Sequence, residues 1–380
     1  MQYRQLGKTG IKVSALGFGC MRLPTLKPGA PKIDRERAIK LIRSGIDAGI
    51  NYIDTAYPYH REESEIVVGL ALKEGYREKV TLVTKCPVGM SDFTDSTHYD
   101  KYLDEQLKKL DVEYLDFYLM HGINDKSFTE KVLGLNLIEK AKTAKEAGKI
   151  KHIGFSFHDK PEVLKKIIDT GHFDLMLVQY NIIDQVNEEM IAYAAEKGLG
   201  IAIMGPVGGG RLAGTPPESM YQWLSEGRKN FVDLALKFVF SNPNVSVALS
   251  GMGSDKMLQD NLLLTSRNDY NQLYADEKDR IDKIAIKFKE LSDNVCTGCG
   301  YCMPCPNEVN IKEIFEFLIR YQVYGQTTDA KHMYAQIGNV RWLPGKNATA
   351  CTECEECLEK CPQNIPIIDQ LKGAHRILVS

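Results

Sequence analysis

Residues 51–69 read NYIDTAYPYHREESEIVVG. The opening six residues, NYIDTA, suit an extended chain buried on both faces. That run reaches Asp54, passes Tyr57 and Tyr59, and from Glu62 to Lys73 the apolar residues change to the three-and-four spacing of a helix. Strand, polar loop and helix together make one βα unit, and the same alternation recurs along the chain. The strand candidates are VSALGFG (13–19), NYIDTA (51–56), VTLVTK (80–85), LDFYLMH (115–121), IKHIGFS (150–156), DLMLVQY (174–180), GIAIMG (200–205) and VSVALS (245–250). Helical patterns separate them at Asp34 to Ala48, Glu62 to Lys73, Lys101 to Leu110, Leu137 to Ala147, Pro161 to Ile168, Glu188 to Lys197 and Asn230 to Phe240. In the first of these, Ala38, Leu41, Ile42, Gly45 and Ile46 form one face.

Eight such units of about 30 residues fit an α/β fold of the (β/α)8 TIM barrel kind, which typically takes about 250 residues. A dinucleotide-binding doubly wound sheet fits less well, because GFGCMR (17–22) after the first strand is not GxGxxG. An N-terminal hairpin is expected from QYRQL, the GKTG turn and IKV. The chain has 380 residues, more than one barrel needs. The expected organisation is a barrel over 1–265, a connecting helix over 266–290, whose pattern ADEKDRIDKIAIKFKEL runs from about Asp276 to Leu291, and a separate domain over 291–380.

At 43% hydrophobic and 26% charged residues the composition excludes disorder. A formal net charge of −2 provides no field to attract nucleic acid or an anionic membrane, so neither is expected as a partner. MQYRQLGKTGIKV lacks the apolar core of a signal peptide and no uncharged apolar run approaches about 18 residues, so a cytoplasmic protein is expected.

Chemistry on a (β/α)8 barrel gathers at the C-terminal ends of the strands. Those ends carry Asp54, followed by Tyr57 and Tyr59; Lys85 and Cys86; His121; Ser156 and His158; and Gln179, Tyr180 and Asn181. A free phenol, with a pKa near 10, is a poor acid at neutral pH, but a neighbouring ammonium favours the phenolate. Lys85 can be that cation, Asp54 its counter-charge, and His121 a donor to a carbonyl oxygen. The set suits protonation of an oxyanion while hydride reaches carbon. Cys20 and Cys86 are expected to be small buried filler.

The run NYIDTAYPYHREESEIVVG, LVTK ending at Lys85, DFYLMH ending at His121 and the strand order resemble the aldo/keto reductase superfamily over about residues 1–265. The resemblance implies a catalytic tetrad of Asp54, Tyr59, Lys85 and His121, with Tyr59 the general acid and base and Tyr57 a pocket neighbour. It implies NADP or NAD as cofactor, with nicotinamide contacts at Ser156, Gln179 and Asn181 and with Met204 where many members stack a tyrosine. The cofactor phosphates would fall near Gly205, Gly210 and Arg211, and near Gly251, Ser254, Lys256, Gln259 and Asn261. Phe157 stands where the family commonly has asparagine, and Gly251 and Met257 occupy the usual positions of a basic pair, leaving Lys256 and Arg211 as cations.

Of ten cysteines only Cys20 and Cys86 precede residue 296. The rest form two runs, Cys296, Cys299, Cys302, Cys305 and Cys351, Cys354, Cys357, Cys361, each ending in Cys-Pro. Two residues between thiolates let a turn wrap three corners of a cubane, while the Cys-Pro thiolate serves elsewhere. Zinc knuckles also use CxxC, but four cysteines in ten or eleven residues, twice, favour two [4Fe-4S] clusters. The segment resembles bacterial dicluster ferredoxin-type domains, which implies one cluster on Cys296, Cys299, Cys302 and Cys361 and another on Cys351, Cys354, Cys357 and Cys305. IKEIFEFLIRYQVYG and DAKHMYAQI between the runs have helical spacing, so this small domain is expected to be α-helical.

The two resemblances together imply an NAD(P)H-dependent oxidoreductase of the aldo/keto reductase type, acting on a small carbonyl or alcohol and carrying clusters for electron transfer. Nicotinamide gives two electrons as hydride and a cluster takes one, so an intermediary such as a flavin, a quinone or a redox partner protein would couple them. Clusters that only shape the structure, and a chain that is purely an electron-transfer module, are the alternatives.

Overall fold

The computed structural model describes residues 1–26, 32–340 and 343–380. Two compact units result: unit 1 comprises residues 1–180, 185–206 and 236–273, and unit 2 comprises 181–184, 207–235 and 274–380.

Unit 1 opens on an antiparallel hairpin, β1 (Tyr3–Gln5) and β2 (Lys12–Ser14), paired Tyr3 to Ser14 and Gln5 to Lys12. Eight parallel strands follow: β3 (Leu16–Gly19), β4 (Tyr52–Asp54), β5 (Thr81–Cys86), β6 (Leu115–Ile123), β7 (Ile150–Phe157), β8 (Leu175–Gln179), β9 (Gly200–Met204) and β10 (Val247–Ser250). They close into a barrel in chain order, with β10 pairing both β9 and β3. The first strand candidate, VSALGFG, is divided: Val13 and Ser14 belong to the hairpin and only Leu16 onward joins the barrel.

The interior is filled by Tyr52, Val83, Phe117, Leu119, Leu175 and Leu177, with Leu6 and Val13 of the hairpin in the same cluster. The hairpin packs where strands begin: the Lys8 amide donates to the Gly198 carbonyl at 2.9 Å, just before β9. Each such side chain removed from water contributes about 1.5–3 kcal/mol, which is why a parallel barrel needs continuous apolar strands. All six residues of β5 are buried. Gly154 allows β7 to approach closely, because a Cβ there would stand 2.4 Å from Leu119 Cδ2.

The helix Arg35–Asp47 buries Ala38, Leu41, Ile42, Gly45 and Ile46, the face its spacing predicts. Asp34 caps it, its side chain accepting from the Arg37 amide at 3.2 Å. A helix at Asp255–Ser266 completes the barrel and lacks a clear sequence signal, since its inward face includes Asn261 and Thr265 beside Leu258 and Leu264.

Unit 2 has its own core. Ile314, Phe315 and Leu318 of the helix Ile311–Gln322 pack with Tyr334 of Thr327–Ala335 and with Leu371 and Leu378 of Ile367–Val379. Six of the eight clustered cysteines lie against this core. The helix Ala275–Leu291, expected as a connection, belongs to this unit, as does the segment 207–235 that follows strand β9. Among the described residues no helix is long and apolar enough to cross a membrane.

Candidate active site and cluster cysteines

Asp54 ends β4, Lys85 stands one residue before the end of β5, and His121 lies near the end of β6. The Lys85 ammonium donates to Asp54 Oδ1 at 2.6 Å, to the Thr55 carbonyl at 2.7 Å and toward the Tyr59 hydroxyl at 3.4 Å. The His121 ring meets the Tyr59 ring edge-on, with centroids 6.1 Å apart. The four residues named as a tetrad are thus neighbours in space. Burial raises the Asp54 carboxyl against the opposing pull of Lys85. Burial, then the Lys85 charge and His158, hold His121 well below the ordinary histidine range, so its imidazole is neutral. His158, which the sequence places just beyond the end of β7, therefore belongs to the electrostatics of this site.

Geometry separates the two tyrosines. Tyr57 is buried, its hydroxyl donates to Glu105 at 3.0 Å, and Lys109 lies 3.7 Å from its ring centre. Tyr59 faces Lys85 instead. Three left-handed residues, His60, Arg61 and Glu62, follow it with φ of 52°, 54° and 70°. Such a run is costly for non-glycine residues. It is anchored by the Leu23 amide donating to His60 Nε2 at 3.1 Å and by the Arg35–Glu63 pair at 2.8 Å.

A buried network behind Lys85 has no simple sequence signal. Glu65 Oε1 accepts from Thr84 Oγ1 at 2.6 Å and from Gln106 Nε2 at 2.5 Å. Gln106 Nε2 also reaches the Lys85 carbonyl at 3.1 Å, and the Tyr118 hydroxyl donates to Gln106 Oε1 at 2.7 Å. Cys20 and Cys86 are fully buried, and burial raises both thiols far above their usual range.

The residues expected to hold a nicotinamide nucleotide divide into three groups. At the ring end, Ser156 is buried with its Oγ accepting from the Gly122 amide at 2.7 Å, and Gln179 and Met204 end β8 and β9 partly exposed. These fit a carboxamide-bearing ring. At the helix Asp255–Ser266, Ser254 caps by accepting from the Met257 amide at 3.3 Å, Gly251, Lys256 and Gln259 are exposed, and Lys256 pairs with Asp260 at 2.7 Å. That terminus also suits a phosphate. Asn261 is instead turned inward, donating to Ser250 Oγ at 2.9 Å.

The third group departs from expectation. In the glycine-rich loop the amides of Gly210, Arg211 and Leu212 donate to the loop's own Val207 and Gly208 carbonyls. The Arg211 side chain is buried in unit 2, and Gly209 packs against Thr297. Asn181 likewise folds onto its own turn, Oδ1 accepting from the Ile183 amide at 3.0 Å. Gly210, Arg211 and Asn181 thus turn to partners within unit 2, and Gly205 lies in unit 1, beside Gln179.

In unit 2 the clustered cysteines fall into two neighbourhoods. Burial, then Cys299, Cys296 and Cys361, raise the Cys302 thiol; burial, then Cys351, Cys305 and Cys354 among its neighbours, raise Cys357. Cys296 is pushed up to about 11, chiefly by burial. One pocket is lined by Cys302, Cys305, Cys351, Cys354 and Cys357, with Val309 and Leu371 as apolar wall. The four cysteines of the second set therefore line one pocket, the donor chemistry a [4Fe-4S] cluster needs. Among the described residues, no three Cys, His, Asp or Glu side chains converge as ligands of a single ion. The Gly298 amide points at Cys296 Sγ from 3.4 Å.

A closed (β/α)8 barrel with acid, ammonium, carboxylate and imidazole at the strand ends defines a class of oxidoreductase. The aldo/keto reductase family pattern matches residues 15–286, and the chain belongs to that family. A 4Fe-4S dicluster domain pattern matches residues 295–365, so the protein is an iron-sulfur oxidoreductase. An uncharacterized oxidoreductase of Bacillus subtilis, YqkF, is 26% identical over 291 residues, covering 69% of this chain and 90% of that one. Probable aldo-keto reductase 1 of Glycine max is 32% identical over 219 residues, covering 55% of this chain and 60% of that one. The solved aldo-keto reductase AKR11C1 of Bacillus halodurans, holo form, superposes with a TM-score of 0.64 at 27% identity, covering 75% of this chain and 96% of that one.

Proposed function

We propose that the protein interconverts a small carbonyl compound and its alcohol with a nicotinamide cofactor, and that its two [4Fe-4S] clusters carry electrons. The observation that carries the first part is the Lys85 ammonium held between Asp54 and the Tyr59 hydroxyl. When bound, the reduced nicotinamide supplies hydride to the carbonyl carbon. Tyr59 donates its proton to the carbonyl oxygen, and the resulting phenolate is stabilised by Lys85. Asp54 and the Thr55 carbonyl fix Lys85 in place. His121, neutral, donates an N–H to the same oxygen and orients it. Ser156 and Gln179 would hold the ring carboxamide, and Ser254 and Lys256 the phosphate end. NADP and NAD both satisfy this arrangement.

For the clusters, the exposure of Cys354 favours electron exchange with a redox partner protein over a purely structural cap. The matched families call for no flavin. Thiolate clusters suit a reducing compartment, and we assign the protein to the cytoplasm on that ground.

The test is anaerobic turnover of a carbonyl panel with NADPH and NADH. Tyr59→Phe is expected to lower kcat by roughly 10²–10⁴-fold. Unchanged turnover would remove Tyr59 from the reaction. Iron and sulfide of about eight each per chain, as two cubanes require, with bleaching by dithionite, support the carrier role. Zinc in their place, or clusters that dithionite cannot reduce, would overturn it.

A further inference from the structure

The GPVGGGRLAG loop carries one charged side chain, and unit 2 buries it. Arg211 keeps 9% of its surface exposed. Its guanidinium carbon lies 5.6 Å from the centre of the Phe288 ring, and its Nε has no hydrogen-bond partner. Among the described residues no carboxylate pairs with it; the groups acting on it electrostatically are Tyr324 and Cys296. The loop is held on two sides. The Tyr324 hydroxyl donates to the Arg211 carbonyl, and a Cβ at Gly209 would stand 2.6 Å from Thr297 Cβ. Thr297 directly follows Cys296.

A guanidinium out of water is expensive unless negative charge lies near. Four thiolates on a cubane carry net negative charge that grows on reduction, and the potential of such a cluster follows the charge and hydrogen bonds around it. A fixed cation whose charge acts on one ligand therefore favours the reduced cluster. A residue that would serve a nucleotide phosphate on a bare barrel is here delivered to the cysteine run.

We propose that Arg211 is the charge-compensating residue of the cluster held by Cys296, Cys299, Cys302 and Cys361 and raises its reduction potential. This rests on the reading that those four cysteines hold a [4Fe-4S] cluster. Arg211 acts through the cluster and is a positioning residue, not a catalytic one. A role confined to packing on Phe288 would leave the potential unmoved.

The experiment is an anaerobic potentiometric titration of the iron-loaded full chain, followed by electron paramagnetic resonance. The signal of the Cys296 set is identified by its change in Cys299→Ser. In Arg211→Gln that cluster's midpoint is expected to move to more negative potential while the other stays, and in Arg211→Lys it stays near the parent value. Both midpoints unchanged in a loaded Arg211→Gln, both shifted alike, or a shift confined to the other cluster would each overturn the proposal. Should Arg211→Gln fail to load iron, loading of Arg211→Lys supports the need for charge, and failure of both assigns Arg211 to packing instead. A parent chain without the cluster signals would mark failure of the cluster reading itself.

Discussion

Lys85 Nζ and Asp54 Oδ1 stand 2.6 Å apart with side chains only 1% and 4% exposed. A pair this deep is held by mutual need: each charge alone would be stranded in a low dielectric. Asp54→Asn leaves the ammonium without its counter-charge and is expected to cost about 3–5 kcal/mol of stability, as breaking a buried pair does. Turnover should fall with it, because a Lys85 without its partner is no longer held against the Tyr59 phenolate. Replacing both partners by Asp54→Leu and Lys85→Met should restore much of the stability and none of the activity. Urea denaturation of the three chains beside turnover checks this; a single variant as stable as the parent would show that the pair is not needed.

His121 brings a pH dependence of defined sign. Its folded-state pKa lies well below 6.5, through burial first and then Lys85 and His158. Below pH 6.5 the unfolded chain takes up this proton and the native state does not, so stability falls with pH by up to about 1.4 kcal/mol per unit for one such group. Asp54 has the opposite sign: its folded pKa is raised, so the native state binds the proton first and acidification through that value toward 3.8 favours folding. His121→Gln should therefore flatten the decline that begins near pH 6.5, seen as a smaller difference in Tm between pH 7 and pH 5.5. Parallel parent and variant curves would exclude His121 as its source.

Glu65 is fully buried, bonded through Oε1 to Thr84 and Gln106, and its Oε2 has no partner. Burial raises its carboxyl against the opposing bonds from Thr84 and Gln106, which disfavours the charge relative to water. Glu65→Gln keeps the shape and removes only a disfavoured charge, and should change stability by less than about 1 kcal/mol. Gln106→Leu removes the partner of Glu65, the Lys85 carbonyl and Tyr118 at once, and is expected to cost about 2–3 kcal/mol. Equal losses in the two variants would argue that Glu65 is ionised in the folded protein.

The barrel and the meeting of Asp54, Tyr59, Lys85 and His121 at its strand ends were legible because their signals are local. Asp54 and Lys85 lie at strand ends and the βα alternation needs only windows of a dozen residues. The choice between Tyr57 and Tyr59 is different in kind: it came from the resemblance, and packing adds that Tyr57 is turned to Glu105. The helix Asp255–Ser266 escaped because Asn261 and Thr265 interrupt its apolar face. The contacts of the glycine loop within unit 2 were not legible for a related reason: its partners Thr297 and Tyr324 lie far along the chain, Tyr324 by 113 residues from Arg211.

Adjacent glycines in that loop provide a controlled comparison. Gly209 and Gly210 both hold left-handed φ values, +67° and +106°. Alanine at either position incurs backbone strain of about 1 kcal/mol or more. Beyond that they differ, because a Cβ at Gly210 meets nothing within 4 Å, while at Gly209 it would lie 2.6 Å from Thr297 Cβ and 2.8 Å from the Thr297 carbonyl oxygen. Backbone cannot rotate away as a side-chain tip can, so Gly209→Ala must displace the stretch that carries Cys296 and Cys299. Gly210→Ala is expected to retain iron as the parent does, and Gly209→Ala to lose it several-fold faster to a chelator under anaerobic conditions. Strain is common to both variants, so only the Thr297 contact predicts a difference, and equal rates of iron loss would remove that contact from the account of how the first cysteine run is held.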